Sequence, residues 1–215
     1  PQRDLESLTI TMIIAVVIGA RLGHCLFYAP DFYLSNPVEI LKIWEGGLAS
    51  HGGAIGMFIG VYLFLRKRKH ISFLWLTDRI SIVVALAACF IRLGNLFNSE
   101  IYGVPADVPW AFVFERIDNV PRHPSQLYEA ISYLIIFIIL ILRYVKHKSS
   151  LIRGQTFGIF LTLLFSARFL IEFTKAKQAM FDIPIPLSMG QILSVPLIII
   201  GIYLLIKAGK FKKPE

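Results

Sequence analysis

Residues 74–103 read LWLTDRISIVVALAACFIRLGNLFNSEIYG. Most of this stretch is an apolar run able to cross roughly 30 Å of hydrocarbon as one helix. It ends in Arg92, Asn95, Asn98 and Glu100. On insertion scales a charged side chain in the middle of a spanning helix costs about 2.5–3.5 kcal/mol. The run therefore places the chain in a membrane, and the polar cluster at its end calls for a functional reason.

The whole composition agrees with that placement. The chain has 215 residues, of which 56% are hydrophobic and 17% charged, and its mean hydropathy is +0.67, too apolar for an ordinary soluble domain. Six runs are long enough to span: about residues 8 to 28, 48 to 65, 74 to 97, 127 to 145, 154 to 173 and 188 to 207. The expected fold is an all-α polytopic membrane protein, a single integral-membrane domain over residues 1–215. A cap loop over residues 98–126 contains the short strand WAFVFER and the prolines Pro105, Pro109 and Pro121, which oppose helix.

Lys and Arg alternate between the loops. Residues 66–69 (RKRK), 143–153 and 207–213 are rich in them, while the intervening loops are sparse. By the positive-inside rule both termini are cytoplasmic, and the loops at 29–47, 98–126 and 174–187 lie outside. These flanks account for the net charge of +8, so basicity here marks topology rather than nucleic-acid binding. The chain opens at Pro1 with PQRDLES, without the regions of a signal peptide, and is read as a fragment. Cys25 and Cys89 lie in apolar runs with no ligand spacing to histidine; both read as buried thiols, and no metal site is expected.

Polar groups recur at other span ends. In the first span Arg21, His24, Cys25 and Tyr28 share one helical face, with Arg21 either turned into the bundle or snorkelling to an interface. Between the first two spans, Asn36, Pro37 and Glu39 resemble a helix N-terminus, and Phe32, Tyr33 and Trp44 suit an aromatic belt. The second span begins HGGAIG; Gly52, Gly56 and Gly60 repeat every four residues, which suits close helix packing. His51 before them is either a satisfied polar group or a proton carrier. His123, just outside the fourth span, is a helix-terminus group, a second proton carrier or exposed. Asp78 and Arg79 open the third span in an orienting role, and the fourth, apolar after Glu129, reads as structural. Arg168 and Glu172 are four apart, the spacing of a helical ion pair. Ser188 and Gln191 have capping-box spacing.

Arg92 and Arg168 approach the outer face from different spans and can meet there. A guanidinium is suited to bidentate recognition of phosphate, and a phosphate bearing acyl chains at a membrane boundary is a phospholipid head group. The residues thus suit a membrane-embedded site that grips a phospholipid, with carboxylates orienting the cations and a histidine moving a proton. Two other readings remain open: an anion or phospholipid pathway lined by arginine, and an assembly subunit whose arginines pair only with carboxylates.

The motifs HGGAIG, RLGNLFNSEIYG, RHPSQLYE, RFLIEF and SMGQILSVP, in this order, resemble the prolipoprotein diacylglyceryl transferases of bacterial inner membranes. The likeness runs from GARLGHCLFY to the last span. It implies transfer of the diacylglyceryl group of phosphatidylglycerol to the lipobox cysteine thiol of a preprolipoprotein signal peptide, giving a thioether and glycerol phosphate. It implies His51 as general base with His123 second, and Arg92 and Arg168 as the groups that hold the phosphate and stabilise charge on the leaving group. Arg21, Asn95, Asn98, Glu100, Gly103, Glu172 and His123 are the expected substrate-binding residues. The site would face the outer, periplasmic leaflet and need no cofactor. Family members carry a further N-terminal amphipathic segment and span, and often an aromatic hydroxyl where this chain has Leu164.

Overall fold

The computed structural model describes residues 2–147, 151–176 and 187–210, and the side chains of Ser50, His51 and Lys210 are not described. The chain is an all-α membrane protein. Five helices among the described residues are long and apolar enough to cross a membrane, and a shorter apolar helix accompanies them. The chain divides into two compact units, Pro1–Phe73 and Leu74–Glu215.

In the first unit α1 (Gln2–Phe27) packs on α3 (Ser50–Arg66), and the short α2 (Pro30–Ser35) leads into 3-10 turns at Pro37–Leu41 and Ile43–Glu45. Three expectations are corrected. The first span starts at Gln2 rather than near residue 8 because its polar first turn is anchored: Asp4 pairs with Arg68, just beyond the end of α3. The second span, α3, has 17 residues, about 25 Å of helix. Asn36 makes no side-chain cap; its amide instead donates to the Phe32 carbonyl at 3.1 Å.

Backbone contact joins α1 and α3. The glycine row of α3 meets a matching row on α1: a Cβ on Gly52 would strike the Gly19 carbonyl, one on Gly56 the Ala15 carbonyl, and one on Gly60 would lie 2.9 Å from Ala15 Cβ. Small residues on both helices let the backbones approach, which replaces the hydrophobic drive that lipid removes.

The second unit contains α4 (Phe73–Phe97), the two-residue strands β1 (Phe112–Val113) and β2 (Pro121–Arg122), α5 (Ser125–His147), α6 (Gln155–Ile171) and α7 (Met189–Lys210). The strands pair antiparallel within the expected cap. One apolar core joins Ile82, Ala85 and Cys89 of α4, Ala130, Tyr133, Ile136 and Leu140 of α5, and Phe160, Leu161 and Leu164 of α6. The orienting role of Asp78 is concrete: its carboxylate accepts from the Gly154 and Phe157 amides at 2.7 and 2.8 Å, satisfying donors that the start of α6 leaves free. Ser188 and Gln191 form the reciprocal capping box at the start of α7.

Overpacking the glycine seam is expected to destabilise the first unit. Gly56→Leu should lower stability by about 1–3 kcal/mol, read as an earlier thermal unfolding transition in detergent. Gly94→Ala, whose Cβ would meet nothing within 4 Å, should not lower that transition and should raise it slightly, since alanine favours helix over glycine.

Candidate functional site

Past the apolar core of the second unit, each helix places a polar side chain in the next turn: Arg92 after Cys89, Arg168 after Leu164, and Glu129 four residues before Tyr133. Glu129 is fully buried. Arg92 Nε lies 3.0 Å from its Oε2, and Lys175 Nζ lies 2.9 Å from its Oε1. The Tyr133 hydroxyl donates to Oε1 at 3.1 Å. Lys175 also reaches Glu172 Oε2 at 3.0 Å, and Ser188 Oγ donates to Glu172 Oε1 at 3.1 Å.

The expected pair of Arg168 with Glu172 does not form; α6 ends at Ile171, and Glu172 begins a 3-10 turn. Tighter winding turns the carboxylate away from the face it would occupy in a continuing α-helix. Glu129, read from sequence as a flank of a structural span, is instead the hub of the cluster. Leu164 joins the core.

Hydrogen bonding separates the arginines into two kinds. Arg21 is buried and committed: Nε donates to Ile40 O at 2.9 Å, Nη1 to Gly46 O and Gly47 O at 2.6 and 3.3 Å, and Nη2 to Glu39 O at 2.6 Å. Positive φ values of 89° and 69° at Gly46 and Gly47, which glycine adopts readily, accompany the turn of this loop onto the guanidinium. Arg122 is likewise committed to Asp118, at 3.2 and 2.5 Å, and this hydrogen-bonded partner holds the Asp118 carboxyl below its ordinary value.

Arg92 and Arg168 differ. The Arg92 Nε–H is not aimed at Glu129 Oε2, which lacks a hydrogen bond despite its proximity. The hydrogen bond Arg92 does make is a long one, from Nη1 to Asn95 Oδ1 at 3.3 Å. Half-buried Arg168 has no ion pair or side-chain hydrogen bond among the described residues. A guanidinium carries five N–H donors, so both retain unused capacity, Arg92 beside the buried Glu129 carboxylate.

The cap fixes the remaining candidates. Asn95 Nδ2 donates to Glu100 Oε2 at 2.8 Å, which makes Asn95 a bridge between Arg92 and Glu100. Gln126 Nε2 holds the Glu100 carbonyl at 2.6 Å. Ser99 and Ile101 flank Glu100 with φ of 58° and 57°, a left-handed conformation costly for a β-branched residue. Ser99 lies beyond the end of α4 at Phe97, and so off the helical face that carries Arg92 and Asn95. Asn98 is exposed.

Gly103 pairs across to Lys175 in an isolated bridge, and its Cβ would strike His123 O and lie 2.6 Å from Thr174 O. It is a spacer between backbones. His123 Nδ1 lies 3.0 Å from Tyr128 Oη, which accepts from Trp110 Nε1 at 2.8 Å. His51 is the second residue of α3, in the first unit with Arg21. Cys25 and Cys89 are free, buried thiols.

Long apolar helices define a polytopic membrane protein, here with a buried cluster of mixed charge. Residues 1–207 match the family model described as prolipoprotein diacylglyceryl transferase. The chain is 53% identical over 210 residues to the phosphatidylglycerol–prolipoprotein diacylglyceryl transferase of Chloroherpeton thalassium, covering 98% of this chain and 78% of that protein. For the proteins of the same name from Tolumonas auensis and Bacteroides fragilis, identity is 51% over 212 residues and 46% over 223. Coverage is 99% and 98% of this chain, and 82% and 80% of those proteins. The chain belongs to the prolipoprotein diacylglyceryl transferase family and is a transferase.

Gly190 packs against this cluster, a contact that sequence reading missed. A Cβ there would lie 2.5 Å from Glu172 Oε1, so Gly190→Ala should displace Glu172 and with it Lys175. Misplacement of this size can cost on the order of 10²-fold in rate; transfer activity compared with the unfolding temperature tests whether the loss is local.

Proposed function

We propose that this protein moves the diacylglyceryl group of phosphatidylglycerol to the cysteine thiol in the lipobox of a preprolipoprotein. The observation that carries this reading is a pair of under-committed guanidinium groups on helices that share one apolar core: Arg92, held beside Glu129, and Arg168, one turn past the core residue Leu164. They suit a phosphodiester, which presents paired oxygens to a planar fork. As the thiol loses its proton, sulfur bonds to the glycerol carbon, the carbon–oxygen bond to phosphate breaks, and its electron pair leaves on glycerol phosphate. Charge gathers on that phosphate, where preorganised cations lower the barrier.

Thiolate is the reactive form. His51 is assigned the general-base role on its motif, HGG. His123 is the weaker candidate because its Nδ1 faces the Tyr128 phenol. Arg21, saturated by loop carbonyls, holds the outer loop in shape rather than gripping lipid. The alternation of basic loops supports a bacterial inner-membrane protein with the site toward the periplasmic leaflet. An anion pathway finds less support: the polar cluster forms one layer beyond an apolar core that fills the middle of the second unit.

Arg92→Ala and Arg168→Ala should abolish glycerol phosphate release from phosphatidylglycerol in the presence of a lipobox peptide. Arg92→Lys should fail too, because a point charge does not replace a fork. Wild-type turnover by these variants would sink the clamp. His51→Gln should lose activity and regain part of it at high pH, where the thiol ionises unaided; an unaltered pH–rate profile would remove His51 from the base role.

A further inference from the structure

Arg92 and Lys175 meet Glu129 and Glu172 beyond the core. The charges balance, but the hydrogen bonds are shared unequally. Glu129 Oε1 accepts from Lys175 Nζ at 2.9 Å and from the Tyr133 hydroxyl at 3.1 Å. Oε2, which lies 3.0 Å from Arg92 Nε, accepts no hydrogen bond among the described residues. A carboxylate and a guanidinium pair most strongly through two parallel N–H bonds, one to each oxygen. Here the second oxygen that arrangement needs is already held by two other donors.

We infer that Lys175 is a positioning residue: by gripping Glu129 Oε1 it stops the carboxylate from closing on Arg92, and so keeps that guanidinium open for a phosphodiester. The inference rests on the phosphate clamp proposed above. Backbone contacts fix the segment that carries Lys175 without help from its side chain. Lys175 bridges to Gly103, the Val104 amide donates to Thr174 O at 2.9 Å, and the Ala176 amide donates to Tyr102 O at 3.2 Å. The ammonium delivered from this segment has a side-chain exposure of 8%, so solvent does little to screen it. It approaches Glu172 Oε2 at 3.0 Å as a charge, while its hydrogen bond goes to Glu129. Without it, Arg92 is the cation left in contact with Glu129, and a desolvated carboxylate gains by taking both edges of the fork. Lipid would then bind only the fraction of protein whose fork is open. Such a loss raises the apparent KM by the inverse of that fraction and spares kcat, because the fork is open in every loaded molecule.

The test is Lys175→Met, assayed as glycerol phosphate release over a range of phosphatidylglycerol concentrations in detergent with saturating lipobox peptide. KM for the lipid should rise at least about tenfold, with kcat within about twofold of wild type. Adding Glu129→Gln should bring KM back to within about threefold of wild type, because a neutral amide has one acceptor oxygen and cannot close the fork. If Lys175 only ties the segment to α5, Lys175→Met lowers kcat instead, and Glu129→Gln, which removes the other end of the tie, gives no recovery. Either result overturns the inference, as does an unmoved KM. Should Lys175→Met fail to fold, read as a lost thermal transition in detergent, Tyr133→Phe decides. Removing the other Oε1 donor should raise KM about threefold at unchanged kcat, and an unmoved KM overturns the inference. Arg92→Lys separates this role from the clamp. Wild-type turnover by that variant removes the clamp and the inference together. If Arg92→Lys is inactive while the Lys175 and Tyr133 variants match wild type, the clamp stands and the positioning role alone is lost.

Discussion

A fully buried carboxylate inside an apolar bundle constrains everything around it. Desolvating Glu129 alone would cost several kcal/mol, so the structure brings cations to it from two directions: Arg92 on α4, and Lys175 from the segment after α6. The Tyr133 hydroxyl adds a hydrogen bond from within α5. Two helices and a loop are thereby fixed at one point. The same α5 turn holds the Glu100 carbonyl through Gln126 and reaches Thr174 through Ser125.

Such a hub also decides which arginines remain available. Arg21 and Arg122 are as polar as Arg92 and Arg168, yet their donors are already matched to loop carbonyls and to Asp118. Arg92 is held in place by charge without having its fork filled. That is the condition a binding site requires: an oriented cation that keeps donors for its ligand. The saturated arginines shape loops, and the unsaturated ones keep donors unfilled.

The elements around the cluster tolerate little change because backbones meet there. Gly103 lies between the backbones of His123 and Thr174, and Gly190 leaves room for Glu172. Ser99 and Ile101 accept a left-handed backbone on either side of Glu100. Strain and close approach gather where a side chain must be aimed, a pattern common to sites whose geometry matters more than their stability.

The sequence by itself determined the membrane class, most spans and the motifs that place the chain in its family, because apolar length and residue order need no knowledge of contacts. It also marked Arg92, Asn95, Glu100 and Arg168, since polar groups in an apolar run stand out by cost alone. It did not mark Glu129, which at the head of a span looks like an ordinary flank until Lys175, 46 residues away, arrives beside it. It suggested the wrong partner for Arg168, because a spacing of four implies a pair only while the helix continues, and α6 gives way to a 3-10 turn at Glu172. Pairing inside a membrane depends on which helix ends meet and how each one terminates. Those facts belong to the tertiary structure.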